Sequence, residues 1–451
     1  MGVLPGPASR RLRQPRGALT PVGKHSELLA RHKEVLPSWM ALYYQEPIAI
    51  VDGEGRHVTD AEGNQYLDFF GGILTTMTGY RVPEVVQAIK DQADRMLHTS
   101  TLYLIESQIE LAEKIAGLSG IPNAKVFFTN SGTEANDAAL MLATQYRRSN
   151  QVLALRGSYH GKSHSTVAIT GQKSWSATSL SPFAVTYVHN GYKLRSPFGH
   201  LPDEEFIVAC VDDLRDLLGV ATAGDVAAMI AEPIQGVGGF VTPPDGFLGA
   251  MKEVLDEHGI LFISDEVQTG WGRTGEHFWG YQAHDLTPDI LTFAKGLGNG
   301  LAMAGVVARA EVMDCLQANS ISTFGGNPLA TAGALANLGY VLDHDLQTNA
   351  LKVGNQLKNG IHHLSDEVPE IAEVRGKGLM IGVELAAADG TPDPARTAAI
   401  MEAAREEGLL IGKGGLYGNT LRIAPPLSLT EDEAEDGLER LTKAMKRAKS
   451  S

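Results

Sequence analysis

The chain has 451 residues, 43% hydrophobic and 20% charged, a composition that supports a large core and more than one domain. A formal net charge of -15 argues against a nucleic-acid partner, and no apolar run approaches the ~20 residues of a membrane span. Its two cysteines, Cys210 and Cys315, lack CxxC partners, which excludes a disulfide framework and a thiolate zinc site and points to a reducing compartment, read as the cytoplasm.

The start departs from this acidic character. Arg10, Arg11, Arg13, Arg16 and Lys24 are basic, and no acid precedes Glu27. Pro5, Pro7, Pro15 and Pro21 would interrupt the amphipathic helix of a mitochondrial targeting peptide. Residues 1–25 therefore read as a disordered basic arm. Gly6 stands where a myristoylation signal needs Ser or Thr.

Residues 26–75 combine a short helix with strand-like pieces at 48–55 and 66–73. Over 76–325, apolar runs at 124–129, 152–157, 226–233, 260–266, 290–295 and 303–309 read as strands. Helical patterns lie between several of them, as at 244–259, where Gly259 can end the helix. This alternation predicts an α/β fold with a mostly parallel sheet covered by helices on both faces. After Gly326 the pattern changes: helices at 328–344 and 348–365, paired strands at 374–386, a helix at 394–407, a strand at 420–427 and a final helix opened by a Thr430/Glu433 capping box. Residues 326–451 read as a smaller α+β domain, which the strands of 26–75 join.

Five short stretches carry chemistry. In ILFISDEVQTG, Asp265 follows an apolar strand, and ligands of open α/β sheets gather at such strand ends. A carboxylate there either caps the next turn or faces a cation such as a protonated ring nitrogen. Lys295 of TFAKGLGNG lies thirty residues later, about one strand–helix–strand unit. It could grip a phosphate, sit idle in a loop, or anchor an aldehyde cofactor covalently. The turn before the helix in FFTNSGTEAND holds Ser131, Gly132 and Thr133 and is either an ordinary cap or a phosphate site. RGSYHGKSHS fails as a P-loop, since Gly157 and Gly161 have three residues between them instead of four. Tyr159 in that stretch is either loop packing or an aromatic face for a planar ring. Arg422, inside an apolar strand, needs an anionic partner. That partner is either a structural acid or a substrate carboxylate, with Glu232 as the resting partner of an empty site. Together, a phosphate site, a stacking residue, a carboxylate and an amine match the needs of pyridoxal 5′-phosphate (PLP).

NSGTEAND, SYHGKS, AEPIQGVGG, ISDEVQTGWGRTG, TFAKGLGNG, STFGGNP and LRIAPPL occur in this order from about residue 40 to 447. The set resembles the class III aminotransferases of the fold-type I PLP superfamily. The resemblance implies a large PLP-binding domain over 76–325. It makes Lys295 the Schiff-base lysine and proton shuttle, and Asp265 the partner of the pyridine nitrogen. It implies that Val267 and Tyr159 cover the two ring faces and that Gln268 reaches the ring hydroxyl. Gly132 and Thr133, next to Ser131, would hold the phosphate, joined by Thr323 of a neighbouring subunit, so a homodimer or a tetramer is implied. Arg422 would bind the substrate carboxylate and exchange it for Glu232. No metal is called for.

DAEGNQYLDFFGGI, LHTSTLY and EHFWGYQAHDLTPDI resemble most the alanine–glyoxylate aminotransferases of the second type and the β-alanine–pyruvate group. That resemblance implies amino acid and keto acid substrates: alanine, β-alanine or β-aminoisobutyrate as donor and pyruvate or glyoxylate as acceptor. A 4-aminobutyrate or ornithine type enzyme using 2-oxoglutarate is the alternative, followed by an amine phospho-lyase or aminomutase. Two departures stand out. The family's GH-x-HP reads GYRVP here, with Tyr80 and Val82 in place of histidines, and the proline usual after the lysine loop is missing from GNGLAMAG.

Overall fold

The computed structural model describes residues 25–448. The basic stretch from Arg10 to Lys24 lies outside them. The first strands, Ile50–Glu54 (β1), His57–Asp60 (β2) and Gln65–Asp68 (β3), form an antiparallel meander. The middle strand is not apparent from sequence, because HVTD offers only four residues of alternating pattern.

The next seven strands are Ala124–Thr129 (β4), Gln151–Leu155 (β5), Ala184–Val188 (β6), Ala228–Ala231 (β7), Leu261–Asp265 (β8), Ile290–Phe293 (β9) and Ala304–Arg309 (β10). They build one sheet in the order β4-β10-β9-β8-β7-β5-β6. Neighbours from β9 to β6 run parallel, and β10 runs antiparallel to both β9 and β4. β5, β7, β8 and β9 are buried along their whole length, as continuous apolar strands must be when helices cover both faces. β6 escapes sequence reading because it is a half-buried edge.

The connection between β8 and β9 differs from the strand–helix–strand unit expected. It is built of turns and one short 3₁₀ segment, Gly280–His284. The reason is composition: Gly270, Gly272, Gly275 and Gly280 fall within it, and each weakens a helix by about 1 kcal/mol. Trp271 and Trp279 fill the space instead, with ring centroids 4.6 Å apart and both side chains buried.

Helices stand at Phe247–Glu257, Pro328–Asp343, Leu346–Ser365 and Pro394–Glu406. Gly259 takes φ +64° just beyond the first of them. Ile371–Lys377 (β11) and Met380–Leu385 (β12) pair as a hairpin. Leu409–Leu410 (β13) runs parallel to β3 and so ties the initial meander to the end of the chain. Gly412–Gly414 (β14) and Thr420–Ile423 (β15) complete the sheet β11-β12-β15-β14. The last helix, Glu431–Arg447, opens with the Thr430/Glu433 capping box. One buried cluster joins Phe69, Phe293, Leu357, Ile381 and Leu441, so the three sheets share a core. No helix among the described residues is long and apolar enough to cross a membrane.

Candidate active site

β8 and β9 are in register with Asp265 opposite Thr292, so Asp265 and Lys295 leave the sheet at the same rim. They meet in a cavity of about 390 Å³, which Ser131, Gly132 and Thr133 line at one side. Tyr159, Glu232, Val267 and Gln268 also line it. Thr323 and Arg422 do not reach the wall of this cavity. Arg422 lies just behind Gln268, whose side-chain oxygen accepts from its Nη2 at 2.9 Å.

Asp265 is buried and held from three sides. Its Oδ2 takes the Asn136 Nδ2 at 2.8 Å and a ring nitrogen of His160 at 2.7 Å. Its Oδ1 takes the Val267 N–H at 3.1 Å. Asn136 is oriented in turn by Thr292, whose hydroxyl donates to its side-chain oxygen at 2.7 Å. His160 and Asn136 belong to this centre, although sequence reading assigned them no role. The signal was present for Asn136, which stands one helical turn after Gly132 and so on the same face.

Burial brings the Lys295 ammonium down to about 8, with Arg422 acting in the same direction and Asp265 and Glu232 opposing. About a tenth of the amine is therefore neutral at pH 7, against about one part in three thousand at its ordinary value. Burial pushes the Glu232 carboxyl upward. Glu232 is not paired with Arg422, as sequence reading expected. Its two oxygens accept from the backbone N–H groups of Tyr159 at 2.9 Å and Gly236 at 2.8 Å. Two local amides satisfy both of its oxygens, and Glu232 acts on Arg422 only as a nearby charge. Arg422 sits between the rings of Phe70 and Phe240, 5.1 and 4.5 Å from their centroids. Its Nε is buried without a partner, and burial lowers it to about 10.

The chemistry of this donor set fits PLP. Ser131 caps the helix Gly132–Arg147 by accepting from the Glu134 N–H. That leaves the first-turn amides of Gly132 and Thr133 free for a phosphate, since helix starts have no internal acceptor for them. A Cβ added at Gly132 would stand 3.1 Å from a Val267 methyl, so any larger residue would crowd that side chain. The Tyr159 ring, fixed edge-on by Trp175 at 5.3 Å, borders the same space.

A family model described as aminotransferase class-III matches residues 40–445. The chain is 40% identical over 421 residues to alanine–glyoxylate aminotransferase 2 homolog 2, mitochondrial, of Arabidopsis thaliana, covering 93% of this chain and 87% of that one. It is 40% identical over 394 residues to the acetylornithine aminotransferase of Mycolicibacterium smegmatis, covering 87% and 92%. Among solved structures, a PLP-bound amine transaminase from an uncultivated Pseudomonas species superimposes with a TM-score of 0.86 at 31% identity, covering 92% and 98%.

Proposed function

The chain belongs to the class-III aminotransferase family and is a PLP-dependent transaminase of fold type I, and we propose that it moves an amino group from alanine, β-alanine or β-aminoisobutyrate to pyruvate or glyoxylate. Bound PLP supplies an aldehyde carbon for covalent attachment and a protonated ring that accepts the electron pair released at the substrate. In its neutral form Lys295 would hold the cofactor through its amine and would then carry the proton at the substrate Cα. Asp265, fixed by Asn136, His160 and the Val267 amide, would keep a proton on the ring nitrogen. Gly132 and Thr133 would hold the phosphate, Val267 and Tyr159 would flank the ring, and Gln268 would face the ring hydroxyl, since all five line the cavity.

The observation that carries the substrate reading is Arg422. It is a buried guanidinium without an acidic partner among the described residues, walled by two aromatic rings. A substrate carboxylate supplies the missing charge. Among the residues lining the cavity, Lys295 is the sole lysine or arginine, and Arg422 stands just behind the lining residue Gln268, so once Lys295 is engaged Arg422 is the cation left to receive a carboxylate. A monocarboxylic acceptor matches that count, and the Arabidopsis relative supports it. The second reading, 2-oxoglutarate as acceptor, has the acetylornithine aminotransferase relative in its support.

A homodimer accompanies this reading. Leu97, Leu102, Tyr103 and Leu104 are exposed beside Ile321 and Phe324. The His98 and Phe324 rings are in contact at 5.2 Å, so the two segments form one apolar surface. Asn130, on the cavity wall, donates to Ser322 at 3.3 Å, which brings that surface to the phosphate end of the site. Thr323 would serve the cavity of a second copy. The large PLP-binding unit is taken as 76–325 and the smaller one as 26–75 with 326–451, in keeping with the β3–β13 pairing. The cytoplasm is the proposed location, with mitochondria as the competing one, since the Arabidopsis relative carries that word in its name.

The test is an acceptor panel at saturating alanine or β-alanine. Pyruvate and glyoxylate should exceed 2-oxoglutarate by at least about tenfold in kcat/KM, and the reverse order would overturn the reading. Arg422→Ala should raise KM for the preferred keto acid by about a hundredfold, the loss of a charge-assisted bond to a carboxylate.

A further inference from the structure

The departure at Tyr80 has a structural counterpart. Gly71, Gly72, Ile73 and Leu74 all take positive φ, at 53°, 59°, 64° and 60°. Left-handed backbone is ordinary for glycine and unfavourable for leucine, and for a β-branched residue such as Ile73 it is a true outlier. Such backbone persists only where its surroundings over-determine it. Here the clamp is Asp68. Its Oδ1 accepts from the Phe70 and Gly71 N–H groups at 2.8 and 3.1 Å. Its Oδ2 accepts from the Tyr80 hydroxyl at 2.6 Å.

Tyr80 is itself fixed. Its backbone exchanges two hydrogen bonds with Gly55, at 2.7 and 2.9 Å. Its ring lies so close to Gly53 that a Cβ there would stand 2.7 Å from the ring. Burial and the neighbouring Asp68 push the Tyr80 hydroxyl upward, so it remains the donor.

The clamped turn carries two groups of the site. Phe70, at its start, forms one wall of the Arg422 guanidinium and stacks on Tyr43 with centroids 6.0 Å apart. Thr75, at its end, lines the cavity. We propose that Tyr80 is a positioning residue that, through Asp68, holds the left-handed turn 71–74 and thereby sets the aromatic wall against which Arg422 receives a substrate carboxylate. The proposal rests on Arg422 being the carboxylate site.

Tyr80→Phe removes one hydroxyl and leaves a buried carboxylate oxygen without its donor. It should raise KM for the favoured keto acid about fivefold while kcat changes by less than about twofold, the effect of one hydrogen bond expressed in binding. PLP affinity should be unchanged. In the cofactor-free protein, amide hydrogen exchange over 68–76 should become faster, with the helix Pro328–Asp343 unaffected. Asp68→Asn, made in the parent with Tyr80 intact, can keep both sets of bonds, because its amide nitrogen can donate to the Tyr80 oxygen, and should leave KM within about twofold of the parent. Should Tyr80→Phe not fold, Tyr80→Met, which likewise cannot donate to Asp68, serves with the same readouts and the same expected direction. An unchanged KM, an unchanged exchange rate over 68–76, or an equal loss in kcat would overturn the proposal. Arg422→Ala separates the two ideas. If it leaves the keto acid KM unchanged, the carboxylate site itself is wrong; if it raises KM and Tyr80→Phe does not, only the positioning role fails.

Discussion

At Lys295 the protein holds an amine against its preference for charge. Its ammonium falls from the ordinary 10.5 to about 8, with burial as the leading cause. Between those two values the unfolded chain binds the proton that the folded chain has released, so stability rises with pH across that window. Below about pH 8 the folded state carries the full penalty of the buried charge. Lys295→Met should therefore stabilise the cofactor-free protein by about 2 kcal/mol at pH 7, with the gain fading as pH approaches 10.5. Urea denaturation at pH 7, 9 and 10.5 checks this, and a gain independent of pH would contradict it. The same variant should lose the borohydride-reducible cofactor linkage. Sequence alone placed Asp265 and Lys295, because each follows a short apolar run and the sheet rim collects such ends. It did not supply the partners of Asp265, since His160 and Asn136 reach it from elsewhere in the chain. Nor could it foresee that the Tyr159 and Gly236 amides would claim Glu232 before Arg422 did.

The strand that carries Lys295 depends on its antiparallel neighbour. β10 meets β9 with Gly305 opposite Phe293, the last residue of β9 and two before the lysine. A Cβ at Gly305 would stand 2.5 Å from the Phe293 ring and 2.7 Å from the Phe127 carbonyl oxygen. Neither can yield easily, since one is a fully buried ring and the other is backbone of β4. Gly305→Ala should destabilise the fold by about 1–3 kcal/mol through overpacking, and part of that strain should appear as weaker PLP retention. Chemical denaturation together with cofactor titration measures both, and a variant as stable as the parent would refute the packing argument. Elements of this kind were legible where an apolar run was long and bounded, as in β4 and β8, or where a cap announced a start, as at Thr430. Illegible were elements whose existence depends on tertiary pairing: two-residue β13, edge strand β6, and the glycine-rich passage between β8 and β9. The left-handed turn at 71–74 belongs to the same class, because it continues from Gly71 and Gly72 into Ile73 and Leu74, which would not choose it without the contacts of Asp68.

Across the whole molecule, three sheets share one core, yet a sizeable apolar surface remains exposed. Leu104 is 93% accessible, Leu102 75% and Phe324 61%, far from the usual place of such side chains. Sequence reading arrived at a second copy only through resemblance, because periodicity cannot distinguish a residue facing a core from one facing a partner. The location of this surface adds a functional argument. It adjoins Asn130 and Ser322 at the phosphate end of the cavity, so a copy docked there would complete the site as well as cover the apolar side chains. Assembly and cofactor retention should then fail together. Leu104→Glu places a charge in the middle of the apolar surface, where burial without a partner is strongly unfavourable. It should shift the dimer toward monomer by at least about a hundredfold in dissociation constant, and PLP should dissociate more readily in proportion to the monomer present. Sedimentation velocity read alongside cofactor absorbance gives both quantities on one sample. A monomeric parent would remove the premise, and a dissociated variant that holds PLP as firmly as the parent would mean that each chain completes its own phosphate site without Thr323 of another.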